Sequence, residues 1–311
     1  MRRLYFLGWH VVLGFTVAGK ASCSDTQIRD RLSKGFRDLE IVTFRDDFER
    51  GFDERLRVLQ EFKDVVKYVS IHAPSDLTVA HVGDDAHREF AEHCVKELIR
   101  TAPLIDCGRV VFHGFYHVTE IKCRSLAVAL REAAFQRCVD SIKRLGKMAC
   151  DFGVEICLEN INACVRLDRM YYLIFGASPS DLVETSVKAC SDSFRLCFDA
   201  AHAHNFSKVI SESQEMRTLY NAQPLSVSDF FRIISDNVSI IHLSDAKGNV
   251  AGLREAEHLP LGDGEVDFKA LLEAMHESKF GGPVVLETQE EDMNSALNAA
   301  QARRYLEELA N

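Results

Sequence analysis

The chain has 311 residues, 47% of them hydrophobic, and a formal net charge of −10. That length and apolar content exclude a disordered chain and suffice for one large core, while the acidic balance argues against an electrostatic grip on a polyanion and favours a small-molecule partner. Ten cysteines, scattered singly and without a CxxC pair, read as reduced thiols of a cytoplasmic protein rather than as a disulfide framework.

In chain order, MRRLYFLGWHVVLGFTVAGKAS opens with the two arginines, apolar stretch and small residues of a cleavable signal. Gly8, Trp9 and His10 interrupt that stretch, and LYFLGWHVVLGF (4–15) is the candidate for a first strand, so it is read as one. Apolar, β-rich runs follow as DLEIVTF (38–44), KYVSIHA (67–73), RVVFHG (109–114), VEICLEN (154–160), FRLCFDA (194–200), VSIIHLSDA (238–246) and PVVLET (283–288). Between most of them lie segments such as FDERLRVLQEFKDVV, REFAEHCVKELIRTA, LREAAFQRCVDSIKRLGKMACDFG and DFKALLEAMHESKF, whose apolar residues recur three and four apart. Eight such alternations with two-sided apolar strands predict a parallel sheet closed into a (β/α)8 TIM barrel, a single domain over 1–311. Neither GxGxxG nor GxxxxGK[ST] occurs, and no run other than the N-terminal one approaches the length of a membrane span.

The active site of such a barrel sits where the strands end. Those ends carry His72, His113, Glu159, Asp199, His242 and Glu287. One strand-end histidine or acid has an ordinary explanation as a hydrogen-bonded residue or a helix cap. Six at one mouth would repel or stay unsatisfied unless a cation or substrate paired them. Glu159, Asp199, His242 and Glu287 come from four successive strands, and three carboxylates with one imidazole suit Mn²⁺, Mg²⁺, Co²⁺ or Zn²⁺. His202, three residues after Asp199, is placed to turn back over the mouth, whereas His204 is read as exposed or behind the site. In HLPLGDGEVDF, Gly262 and Gly264 allow a tight loop, Asp267 is read as the cap of the following helix, and His258 is expected to project into the site. The aromatic-rich segment 162–190, with Tyr171 and Tyr172, either folds partly over the mouth or packs as a helix and loop on the barrel.

These residues resemble the xylose-isomerase-like barrel superfamily, which holds sugar and sugar-phosphate isomerases and epimerases together with the endonuclease IV family. The resemblance spans nearly the whole chain and is carried by IHAP (71–74), VVFHG, CLEN, CFDAAHAH, IIHLSDAKG, HLPLGDGEVDF and VVLET. For the isomerase and epimerase branch it implies one divalent metal on Glu159, Asp199, His242 and Glu287, with Glu159 and Glu287 exchanging protons through a metal-held enediolate of a small polyhydroxylated sugar or sugar phosphate. His202 and His258, with His72 and His113, would then bind substrate hydroxyls, and Lys247 is a candidate for substrate binding. A dehydratase of a sugar-like keto compound is a close mechanistic relative.

The endonuclease IV branch instead implies three zinc ions acting on a phosphodiester. His72, His113 and Glu159 would hold one, the four-residue set a second, and His202 with His258 the third. Here the match breaks, because the Asp-x-His of that family is Ala256-Glu257-His258, leaving Glu255 or Glu257 to substitute. A bulky pair that probes the duplex is also replaced by Ser75 and Asp76, and an acid there opposes a phosphate backbone. Abasic-site cleavage therefore ranks second, nucleic acid is not the expected partner, and a barrel that only binds a ligand ranks third. Barrels of this class often pair as homo-oligomers.

Overall fold

A computed structural model describes residues 15–114, 116–119, 124–162, 166–167, 170–248 and 257–309. Eight parallel strands close into a barrel: β1 (Val17–Ser22), β2 (Asp38–Val42), β3 (Lys67–His72), β4 (Arg109–His113), β5 (Glu155–Glu159), β6 (Phe194–Asp199), β7 (Val238–Leu243) and β8 (Val284–Leu286). Each pairs with its sequence neighbours, and β8 returns to β1 through Val17 opposite Val284 and Ala18 opposite Val285. The expected (β/α)8 architecture is therefore the observed one.

The first strand lies elsewhere than expected. It is VAGKAS at Val17–Ser22, and of the expected run 4–15 only Phe15 falls among the described residues, outside any strand. Small residues are needed here: a Cβ on Gly19 would sit 3.1 Å from the Phe36 ring. The later strands match their apolar runs to within three residues at either end.

Strand alternation sorts the side chains into two populations. One large apolar cluster lies between strands and helices and includes Leu39, Ile41, Phe112, Leu158, Phe198, Ile241 and Leu286. A second, smaller one takes a single small or medium residue from each of seven strands: Ala18, Val69, Val111, Cys157, Cys197, Ile240 and Val285. These fill the lumen. Two positions after Ala18, Val111, Cys157, Cys197, Ile240 and Val285 come Lys20, His113, Glu159, Asp199, His242 and Glu287, so the period of two stacks a polar layer on the apolar plug. On β3 a register irregularity against β2 lets Ser70 face Glu40 and His72 end the strand.

Several of the helices begin on side-chain caps. Asp84 accepts His87 N, Ser178 accepts Asp181 N, and Asp199 accepts His202 N at the starts of Asp85–Thr101, Pro179–Ala189 and Ala200–Glu212. Asp267 caps Phe268–Glu277 through Ala270 N, as expected. Part of the 162–190 segment is neither helix nor loop: Arg166–Leu167, Met170–Ile174 and Tyr116–Thr119 form a three-stranded antiparallel sheet. It grows from the connections after β4 and β5, at the barrel end that carries the polar layer, and is followed by Pro179–Ala189. All eight described cysteines are free, and no described helix is long and apolar enough to cross a membrane.

Candidate metal centre

Glu159, Asp199, His242 and Glu287 meet at the mouth, with one ligand-type atom of each lying within 4.8 Å of the others. Each also has a buried polar atom without a hydrogen-bond partner: Glu159 Oε1, Asp199 Oδ2, His242 Nδ1 and Glu287 Oε2. His242 Nδ1 lies 3.4 Å from Glu159 Oε1 and 2.7 Å from Glu287 Oε2, the latter without hydrogen-bond alignment. Four such atoms left bare by accident would each cost about 1–3 kcal/mol. Around an ion with bonds of about 2.1 Å, neighbouring ligand atoms sit about 3 Å apart and opposite ones about 4 Å. The donor set and its spacing therefore fit a divalent cation of oxygen and nitrogen preference.

The remaining atoms of these residues are held by the protein. Asp199 Oδ1 caps its helix at 2.6 Å from His202 N, while Asn160 grips the Asp199 backbone through both its oxygen and its amide. Glu159 Oε2 faces His72 Nε2 at 2.9 Å and His113 Nε2 at 3.3 Å. In both histidines Nδ1 contacts a backbone carbonyl, Ala73 O at 2.6 Å and Ser75 O at 3.1 Å. A carbonyl can only accept, so Nδ1 carries a proton in both, and Nε2 is the nitrogen turned toward Glu159. His72, His113 and Glu159 thus form a second group with ligand spacing, sharing Glu159 with the first.

Two residues of the centre carry no strand-end signal. Glu40, wholly buried in the middle of β2, accepts Ser70 Oγ at 2.7 Å and His242 Nε2 at 3.0 Å. Lys20 on β1 bonds Glu287 Oε1 and stands 3.5 Å from Glu40 Oε1. A charged residue flanked by Leu39 and Ile41 inside an apolar strand was the available sign of Glu40; Lys20 was hidden by the misplacement of the first strand.

The charges respond to this crowding. Burial works against every charged form, yet His242 and Lys20 hold Glu40 at about 2. Burial would lower the His242 pKa, but Cys197, Glu40, Glu159 and Glu287 raise it well above the usual range. For Asp199, burial with Glu159 and Glu287 raises the pKa against the opposing pull of His202 and His258. Carboxylates outnumber the fixed cations, an imbalance that a divalent cation would relieve. Cys197 also lies within ligand distance of Glu159 and His242, but burial pushes its thiol well up, leaving the oxygen and nitrogen donors dominant.

His202 gives Nδ1 to Asn160 O at 2.8 Å, which leaves Nε2 for other contacts. Burial opposes its protonation, but Asp199, Glu159 and Glu257 bring its pKa to about 9. The His258 ring lies 5.3 Å from that of His202, with Nδ1 3.1 Å from Ser244 Oγ. Its loop is tied down by buried Asp245, which accepts Ala246, Gly262, Gly264 and Val266 N–H groups at 2.9–3.0 Å. Glu257 receives Asn205 Nδ2 at 2.8 Å, while Glu255 and Ala256 lie outside the described residues. His204 is buried rather than exposed, 3.9 Å from Glu265. Lys247 is exposed, and its charge lowers the Glu265 pKa after the larger effect of Lys208. Asp76 is exposed and pairs with Arg45 at 3.2 Å.

A cavity of about 170 Å³ opens beside Lys20, with Gln27, Arg31, Val42, Phe44 and Glu290 also in its lining.

A family profile described as Xylose isomerase-like TIM barrel matches residues 32–309. A probable endonuclease 4 of Bacillus licheniformis is 23% identical over 228 residues, covering 71% of this chain and 66% of the relative. Among solved structures, a D-tagatose 3-epimerase-like protein superposes with a TM-score of 0.68 at 20% identity, covering 94% of this chain and 96% of the other. The IOLI protein with a bound zinc atom gives 0.64 at 17% identity, over 94% and 98% of the two chains. At these identities the structural likeness establishes the barrel.

Proposed function

The chain belongs to the xylose isomerase-like TIM barrel family, and from that premise we propose that it is a divalent-metal-dependent isomerase or epimerase of a small sugar or sugar phosphate. The observation that carries this reading is the convergence of four partnerless buried atoms from Glu159, Asp199, His242 and Glu287. These four residues would hold the ion. When bound, a divalent cation would polarise a carbonyl and its neighbouring hydroxyl and acidify the C–H between them.

The protein supplies the rest. Glu159 on β5 and Glu287 after β8 are separated in the barrel by β6 and β7, so the two carboxylates approach a bound substrate from different sides. One removes a proton from carbon, and the other returns one to the opposite face or to the adjacent carbon. His202, through Nε2, donates a hydrogen bond to a substrate oxygen. The cavity beside Lys20 takes the part of the substrate beyond the reacting carbons. The epimerase-like structural neighbour supports this substrate class.

Glu159→Gln and Glu287→Gln test the assignment. Each keeps side-chain volume and is expected to lower turnover by at least 10³-fold in a screen of ketoses and their phosphates, with an unchanged circular dichroism spectrum. Near-native turnover in either variant would remove that residue from proton transfer.

The His72, His113 and Glu159 group favours a second reading, a zinc phosphodiesterase with a di- or trinuclear site like the endonuclease relative. Asp76, where that relative's family carries a bulky residue, is paired with Arg45 and offers no stacking wedge for a duplex. Elemental analysis showing well over one zinc per chain, with hydrolysis of a phosphodiester, would select it.

A further inference from the structure

The orientation of two of the four proposed ligands is set by residues outside the ligand set. His242 could offer either ring nitrogen, and Glu287 either oxygen. In the structure His242 Nε2 meets Glu40 Oε2 at 3.0 Å, and Glu287 Oε1 is bonded by Lys20. What remains, His242 Nδ1 and Glu287 Oε2, is a pair of atoms without a hydrogen-bond partner, 2.7 Å apart and among the grouped ligand-type atoms of the centre.

Glu40 is fixed in turn. It is fully buried, takes Ser70 Oγ at 2.7 Å on the oxygen that receives His242, and pairs at 3.5 Å with Lys20 through the other. Lys20 and Glu40 sit directly opposite each other on β1 and β2, so the sheet register itself holds the pair together. An ionised carboxylate beside an imidazole N–H makes the second nitrogen a better donor to a cation, and an ammonium on one carboxylate oxygen leaves the other as the single available ligand atom.

We propose that Lys20 and Glu40 are positioning residues for the metal centre, a two-residue clamp that selects the His242 tautomer and a one-oxygen binding mode for Glu287. The clamp rests on the metal-centre reading given above. It also explains why a lysine and a glutamate occupy lumen positions that the other strands reserve for ligands or apolar side chains. Packing does not call for them: removing one partner of a buried pair is costly, but an apolar pair of similar size would fill the same space without loss.

Co²⁺ titration of the metal-stripped full-length protein, followed by visible absorption and by competition with a chromophoric chelator, tests the clamp. Wild type should bind Co²⁺ at the centre. Glu40→Gln, which keeps the volume but removes the charge, should weaken Co²⁺ binding on the order of 10- to 100-fold and shift the visible bands. Lys20→Met should weaken it about 10-fold as Glu287 loses its preferred oxygen. Ser70→Ala, which removes only the hydroxyl on Glu40, should cause a smaller loss of about threefold, and it stands in should Glu40→Gln not fold. A role confined to stability would lower the urea midpoint of the stripped protein while leaving affinity and bands unchanged; that pattern in the folded variants overturns the clamp. Absence of Co²⁺ binding in wild type would instead overturn the metal-centre reading on which it depends.

Discussion

Replacing Asp199 with Asn should move stability in opposite directions depending on metal. Asp199 is wholly buried, and its Oδ1 caps the Ala200–Glu212 helix. Asparagine caps as well as aspartate, so the helix start is retained. What changes is the charge beside Glu159 and Glu287, with ligand atoms within 4.8 Å. A like-charge pair at that separation repels by roughly 3 kcal/mol at an effective dielectric of about 20. His202 and His258 offset much of this for Asp199, leaving an expected gain of about 1–2 kcal/mol for the variant in chelator. With metal the sign reverses. Wild type at a free metal concentration 1,000 times its Kd gains about 4.1 kcal/mol, and a variant binding 100-fold more weakly gains about 1.4 at the same concentration; this difference of about 2.7 outweighs the metal-free gain and leaves the variant less stable by about 0.7–1.7 kcal/mol. Urea denaturation with chelator and with excess Mn²⁺ reads both arms. A variant equally destabilised in both conditions would refute the reasoning, because it would show that Asp199 serves the fold and not a cation.

Gly264→Ala should destabilise by about 2–3 kcal/mol in urea denaturation, as overpacking against fixed neighbours does: a Cβ there would overlap Asp245 Oδ1 and lie 2.6 Å from both Ala246 N and Ala246 O. A change below 0.5 kcal/mol would show that the loop relaxes. Glu92 is buried against Ser141 Oγ at 2.6 Å and Arg144, and although burial raises its pKa, those partners bring the net value below the usual range. A depressed carboxylate contributes stability that is present above its unfolded pKa of about 4.3 and lost as pH falls through the folded value. Glu92→Gln should therefore cost about 1–2 kcal/mol at pH 7, discounted for the half-exposed Arg144, and the gap to wild type should close below about pH 4. A gap independent of pH between 7 and 3 would contradict the assignment.

The barrel was legible because buried parallel strands leave continuous apolar runs, and because its site must sit where those runs end. Glu159, Asp199, His242 and Glu287 each follow a lumen residue by two positions, so alternation alone aims them inward. The first strand escaped for the complementary reason. VAGKAS is poor in β-branched residues because Gly19 must admit Phe36 and Lys20 must reach Glu287. Glu40 escaped because it lies inside its strand and not at its end. Which nitrogen of His242 faces inward, and the shift that turns Ser70 toward Glu40, depend on partners about 200 and 30 residues away, and no local pattern encodes them. The three-stranded sheet after β4 and β5 pairs short segments whose register is set only when both connections meet.

Anomalous diffraction from crystals grown with Co²⁺ or Zn²⁺ tests the central claim most directly. One peak about 2.0–2.3 Å from Glu159 Oε1, Asp199 Oδ2, His242 Nδ1 and Glu287 Oε2 is the predicted result. No peak among these four atoms, or an ion held by His72 and His113 alone, would contradict it.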